Sequence, residues 1–203
     1  MNFNELKGQL SAIEIPLARK RKLDGLAEVF LEEINKGNQV EVVFICTHNS
    51  RRSQFSQVWC QYFSDLFARK DIICYSGGTE ITSVYPGVLE TLKEHGFNVE
   101  SSMEGSNPEY RVFWNGSHGV SIFSKLYADS KNPEKDFIAV LTCDDADENC
   151  PFIPGAKFRI PLPYKDPKFS DNTISQQSEY NKTSLLIGAE MYYMFSKIEE
   201  LCK

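Results

Sequence analysis

The stretch Val40–Ser53, VEVVFICTHNSRRS, constrains this chain more than any other. Val42-Val43-Phe44-Ile45 is a continuous apolar, β-branched run bounded by turn residues, which reads as a strand buried on both faces. After Ser53 the period changes: Phe55, Val58, Trp59, Tyr62, Phe63 and Leu66 fall on one helical stripe. Cys46 therefore ends a strand and Ser53 begins a helix. The loop between them should aim its backbone N–H groups at one point near the positive end of the helix dipole, which makes an anion site.

The residue types fit that geometry. Converging N–H groups, a helix N-terminus and a guanidinium favour the thiolate of Cys46, the nucleophilic form. Arg52 offers a planar fork of donors that matches a tetrahedral oxyanion at two points. Ser53 can hydrogen-bond the sulfur and cap the helix. Asn49 tolerates left-handed backbone, and its side chain can tie the loop together. Read singly, Cys46 is a small hydrophobe at a strand end and Arg52 a surface charge. Their spacing on a strand–loop–helix is what makes the anion site the stronger reading.

Cys46-Thr47-His48-Asn49-Ser50-Arg51-Arg52-Ser53 resembles the signature of the low-molecular-weight protein tyrosine phosphatase superfamily. That signature is Cys, five residues, Arg and Ser or Thr after the first strand, and the superfamily includes the thioredoxin-coupled arsenate reductases. Two positions depart from its pattern. His48 stands where the family usually has Gly, and Arg51 where the reductases usually have Cys; Arg51 is expected to add charge to the site. The resemblance implies that Thr47 to Ser53 form the oxyanion-binding loop. It covers Val40 to the C-terminus apart from an inserted hairpin.

Composition bounds the alternatives. The chain has 203 residues, 41% hydrophobic and 25% charged, which suits one globular domain with additions. A net charge of −6 gives nucleic-acid binding no electrostatic support. No apolar stretch approaches the ~20 residues of a membrane span, and the N-terminus lacks the apolar core of a secretory leader. The six cysteines (46, 60, 74, 143, 150 and 202) then read as thiols of a cytoplasmic protein rather than a disulfide framework. The histidines 48, 95 and 118 show no metal-ligand spacing, so neither metal nor cofactor is expected.

Residues 1–37 read as a helical extension ahead of the domain at 38–203, expected to pack on that domain or on a second subunit. Leu23, Leu26, Ala27, Phe30, Leu31 and Ile34 recur at helical spacing, and Gly37 stops the helix. Arg19-Lys20-Arg21-Lys22 reads as a solvated helix face. Residues 71–79 form a second strand ending at Gly77-Gly78, and Pro86–His95 a helix. Cys60 and Cys74 read as core. Tyr110–Trp114 and Val120–Phe123 flank Asn115-Gly116, a tight-turn signal, so about 107–127 is an inserted aromatic hairpin. Phe137–Thr142 and Ala156–Ile160 give strands three and four, and about Ser175–Leu201 a long final helix. The expected fold is a three-layer α/β/α domain with a four-stranded parallel sheet in order 2-1-3-4.

Cys143 ends the third strand, so it should share with Cys46 the carboxyl edge of the sheet, where functional groups gather in such folds. Six residues further on comes Cys150. The two are incidental loop thiols, or a pair brought together across a short helical segment. The spacing resembles the redox pair of the arsenate reductases. Four acidic residues between them, Asp144, Asp145, Asp147 and Glu148, disfavour a thiolate there unless the segment rearranges during turnover. Asp166-Pro167 is an ordinary turn or, by the same resemblance, the superfamily's general acid in the loop after the fourth strand. Lys168 and Phe169 follow where the phosphatases commonly carry Tyr, which suits a small inorganic oxyanion.

The resemblance thus implies an arsenate reductase working through Cys46, Cys143 and Cys150, with Arg52 binding the oxyanion, Asp166 as acid and thioredoxin as reductant. The alternative is phosphomonoester hydrolysis through a phospho-Cys46 intermediate. A third possibility is a non-catalytic oxyanion- or redox-sensing module.

Overall fold

The computed structural model describes residues 3–101, 104–116, 118–143 and 152–202. Two helices, α1 (Phe3–Ser11) and α2 (Leu17–Asn35), lead into β1 (Val40–Cys46). The chain continues through α3 (Arg52–Leu66), β2 (Ile72–Gly78) and α4 (Pro86–Glu94). Three short strands follow, β3 (Asn98–Ser101), β4 (Tyr110–Trp114) and β5 (His118–Ile122). The chain then returns to the main sheet with β6 (Phe137–Leu141) and β7 (Ala156–Pro161), and closes with α5 (Gln176–Leu201).

The main sheet is parallel with order β2-β1-β6-β7, the expected order 2-1-3-4. Its register sets where the strands end. Cys46 stands opposite Gly78, Ile45 opposite Leu141, and Leu141 opposite Pro161. The carboxyl ends of all four strands therefore finish at one level. Beyond it, Thr142 N–H donates to the Ile45 carbonyl (2.7 Å), and Tyr164 N–H to the Thr142 carbonyl (3.1 Å). These bonds carry the connections after β6 and β7 to the end of β1.

The pleat splits the sheet's apolar residues between two clusters. Val42, Phe44, Ile138 and Val140 face the large core shared with the helices; Val43, Ile45, Ala139 and Leu141 face a smaller cluster with Tyr127 and Ile153. Cys46 and Cys143 both belong to that smaller cluster. On the helical side Trp59 of α3 is fully buried and lies against Gly188 of α5, where a Cβ would come within 3.0 Å of the indole. Its Nε1–H donates to Ser184 (3.0 Å), so the polar end of the ring is satisfied.

The N-terminal extension packs on the rest of this chain. Leu6, Leu10, Leu23, Leu26 and Phe30 are buried in the same cluster as Trp59 and Phe195. Arg19 departs from the expectation of a wholly solvated basic face. It is half-buried and forms a two-point ion pair with the buried Glu190 of α5 (2.8 and 2.9 Å). The charge run at 19–22 thus mixes one structural arginine with solvated neighbours, a distinction that spacing alone does not make.

The hairpin at Asn115-Gly116 forms as expected, with both residues at positive φ. It gains a third strand, β3, which pairs antiparallel with β4. β3 reads Asn-Val-Glu-Ser with no buried residue, so it gave no hydrophobic signal. Trp114 turns onto α3 and meets Tyr62 and Phe97 edge-on at 5.5 and 5.7 Å. The aromatic arm therefore covers apolar surface of its own chain.

Glu33 of α2 fastens the extension to β7. Its carboxylate accepts from Lys157 (2.6 Å), Asn38 (2.9 Å) and Lys36 (3.1 Å). The Lys157 bond, followed by that of Asn38, holds its pKa down at about 2. A depressed carboxyl stabilises the fold fully above its unfolded value and loses that contribution as pH falls through the folded one. Glu33→Gln should lower Tm by about 2–4 °C at pH 7. In thermal melts that gap should close as pH falls from 4 towards 2; a gap independent of pH would show that the ionised pair is not the cause.

Candidate active site

The loop between β1 and α3 is held by its carbonyls. Thr47 O accepts from Thr79 N and Glu80 N (2.8 and 2.9 Å). His48 O accepts from Ser124 Oγ (2.8 Å) and Thr82 Oγ1 (3.2 Å). Asn49 O accepts from Gln54 Nε2 (2.7 Å), Ser50 O from Tyr85 N (3.1 Å) and Arg51 O from Phe55 N (3.0 Å). No described residue accepts from the N–H groups of residues 47–51. With every carbonyl drawn outward, the donors are left for the interior of the loop, which is what an oxyanion requires.

Asn49 closes the loop from within. It is fully buried at φ 46°, the left-handed conformation its side chain tolerates. Its Nδ2 donates to Ser53 Oγ (2.8 Å), and its Oδ1 accepts from Lys125 N (3.0 Å). Ser53 Oγ lies 3.1 Å from Cys46 Sγ. Because Asn49 donates into that oxygen, the hydroxyl hydrogen of Ser53 is free to point at the sulfur. Ser53 does not cap the helix as expected. The helix begins one residue earlier, at Arg52, and its N-cap Arg51 makes no side-chain capping bond.

His48 takes no left-handed φ, so this loop needs no glycine at that position. Its imidazole is partly exposed and lies 3.3 Å from Glu80. Close approach is instead required at Gly78, where a Cβ would sit 2.6 Å from Thr47 O and 2.8 Å from Asn49 N.

Arg52 is nearly buried at 8% exposure. Its Nη1 donates to Tyr164 O (3.1 Å) and its Nη2 to Asp166 Oδ2 (2.5 Å). Its Nε is buried with no partner among the described residues. A buried guanidinium N–H without an acceptor is costly, and a bound oxyanion is the group that would satisfy it. Asp166 is oriented by a second bond, Lys168 N–H donating to its Oδ1 (3.0 Å). Arg51, expected to add charge to the site, is otherwise engaged. Its guanidinium pairs with Asp171, donates to Tyr180 Oη (2.5 Å) and lies 4.2 Å over the Tyr85 ring. That charge is compensated by Asp171 and serves to tie the loop to α5.

Cys143 is fully buried, and its sulfur lies 3.7 Å from Thr47 Oγ1. The structure thus gathers Cys46, Arg52, Ser53, Asp166 and Cys143 at one edge of the sheet. Cys150 and the acidic residues before it lie outside the described residues. Among those described, no group of three or more His, Cys, Asp or Glu could hold a metal ion. Spacing did not reveal Gln54 and Gln57, polar residues on a helix buried almost all round in its first turns. Gln54 Nε2 bonds the loop and also Phe123 O (3.0 Å), while Gln57 Oε1 accepts from Ser76 Oγ (2.7 Å). Two polar side chains among the apolar stripe were the available signal.

An arsenate reductase of Staphylococcus aureus is 30% identical over 114 residues, 56% of this chain and 67% of that protein. The chain belongs to the low-molecular-weight protein tyrosine phosphatase superfamily, which includes the arsenate reductases. No family model matches it. A low-molecular-weight phosphotyrosine phosphatase from Vibrio cholerae shares the fold at TM-score 0.53 and 14% identity, covering 80% of this chain and 98% of that one. An arsenate reductase from Archaeoglobus fulgidus does so at TM-score 0.51 and 16% identity, covering 77% and 99%. Both branches of the superfamily are enzymes. No helix among the described residues is long and apolar enough to cross a membrane.

If Asn49 is the internal tie, Asn49→Ala removes two buried hydrogen bonds and leaves an alanine in the left-handed region. The expected loss is about 3 kcal/mol of stability. Affinity for inorganic phosphate should fall about tenfold in calorimetric titration, since the donors lose their aim. Unchanged phosphate affinity would remove Asn49 from this role.

Proposed function

We propose that the protein is an arsenate reductase using a three-thiol cascade. The observation that carries this reading is the burial of the Cys143 sulfur beside Thr47, the residue that follows Cys46. Hydrolysis through phospho-Cys46 does not require a second thiol there, whereas the cascade does.

In the proposed sequence the Cys46 thiolate attacks arsenic in arsenate held by the loop amides and Arg52. Asp166 gives its proton to the oxygen that leaves as water, and a Cys46–arsenic bond forms. The Cys143 thiolate then attacks the Cys46 sulfur. The sulfur–arsenic bonding pair passes to arsenic, which leaves as arsenite, reduced from As(V) to As(III), and a Cys46–Cys143 disulfide remains. Cys150 attacks Cys143, freeing Cys46 and moving the disulfide to Cys143–Cys150. A dithiol reductant of the thioredoxin type takes that disulfide back to two thiols. Asp166 exchanges its bond to Arg52 for the substrate, taking from the bound hydrogen arsenate the proton that it passes to the leaving oxygen.

One observation favours the second reading, hydrolysis of phosphomonoesters. Phe169, three residues after Asp166, is 56% exposed, with the Lys165 ammonium 4.2 Å over its ring. An exposed aromatic this near Asp166 in sequence could stack on an aryl phosphate.

Cys143→Ser and Cys150→Ser should each abolish multiple-turnover arsenite release with thioredoxin, while hydrolysis of a small aryl phosphate survives. Cys46→Ser should abolish both activities, because a hydroxyl is a far weaker nucleophile at this site. Wild-type protein that hydrolyses aryl phosphate rapidly but releases no thioredoxin-dependent arsenite would make the phosphatase the correct reading.

A further inference from the structure

We propose that the cleft between α3, the outer edge of β2 and the antiparallel sheet binds a small apolar monocarboxylate, held by the ammonium of Lys125. The cleft encloses about 400 Å³, within the range of small-molecule sites. Ile73, Tyr75, Val120 and Phe123 give it apolar walls. Lys125 is only 3% exposed yet lines it.

The ammonium lies 4.6 Å over the Phe123 ring and has no hydrogen-bond acceptor among the described residues. Its neighbour Lys131 also lies over that ring, at 4.5 Å, but has its own acceptor in Glu109 at 2.9 Å. Asp129 is engaged by the Lys131 backbone N–H (2.9 Å). An ammonium largely withdrawn from water and lacking an acceptor is costly, and that cost is relieved when a ligand brings the missing anion. The lysine is also fixed in place. Its backbone N–H donates to Asn49 Oδ1 (3.0 Å) and its carbonyl accepts from Gly78 N (2.8 Å).

The surrounding charges select the ligand. Glu109, Asp129 and Lys131 are the ionisable groups whose fields reach Lys125. The carboxylates of Glu109, which lines the cleft, and Asp129, which lies outside its lining but whose field reaches Lys125, oppose a doubly charged phosphate but tolerate one negative charge seated on the ammonium. The apolar walls then ask for a hydrocarbon or aromatic body on that carboxylate. Burial lowers the Lys125 pKa to about 8, so the ammonium prevails at pH 7 and is lost above pH 8.

The test uses phenylacetate as probe, titrated into the full chain and followed by amide NMR. Saturable binding is expected, with shifts centred on residues 119–125 and 131. Lys125→Met should bind at least about tenfold more weakly. In the wild type, affinity should fall as pH rises from 7 to 9.5, because the probe stays ionised while the free ammonium loses its proton; this arm needs no variant. Absence of saturation, shifts centred on residues 46–53, equal affinity in a folded Lys125→Met, or a pH-independent affinity would each overturn the proposal. None of these readouts uses Cys46 chemistry, so failure here is separate from failure of the reductase reading.

Discussion

The outward pull on the carbonyls of residues 47–51 is the constraint on which this site depends. A short loop cannot aim its N–H groups inward unless something takes its carbonyls on the outside. Here the takers come from the turn after β2, from the segment after β5, from the residue before α4 and from α3 itself. Gly78 is required because the end of β2 approaches Thr47 and Asn49 more closely than a Cβ permits. The loop is thus made by its neighbours, and its own sequence supplies chiefly the chemistry.

The sheet register does the rest. Strands β1, β2, β6 and β7 end level, so Cys46, Cys143 and the segment carrying Asp166 meet without any long excursion of chain. The extension reinforces the same edge from behind. Arg19 pairs with Glu190, donates to Leu162 O (3.4 Å) and lies 4.6 Å over the ring of Tyr164, whose carbonyl receives Arg52. A helix that precedes β1 in sequence thereby buttresses the segment that holds the arginine and Asp166.

Much of this was legible in the residues. The change of period at Cys46–Ser53 located the strand, loop and helix, and parallel-sheet logic brought Cys143 to the same edge. Asn49 was readable because few residues tolerate its backbone conformation. Arg51 was misread because its partner Asp171 is 120 residues away, and a local charge says nothing of a distant one. Arg19 was misread for the same reason, with Glu190 in α5. β3 was missed because an exposed edge strand needs no hydrophobic alternation when its backbone bonds suffice. Ser53 looked like a cap because helix boundaries read from sequence shift by a residue or more.

The central claim is that Cys143 delivers its electrons to the sulfur of Cys46. The most direct measurement is peptide mass spectrometry of Cys150→Ser after a single turnover with arsenate. Without Cys150 the cascade should stop one step early, so a linked peptide containing Cys46 and Cys143 should accumulate in proportion to the arsenite released. Arsenite release with Cys46 and Cys143 both recovered as free thiols, or with Cys46 linked to another cysteine, would contradict the account.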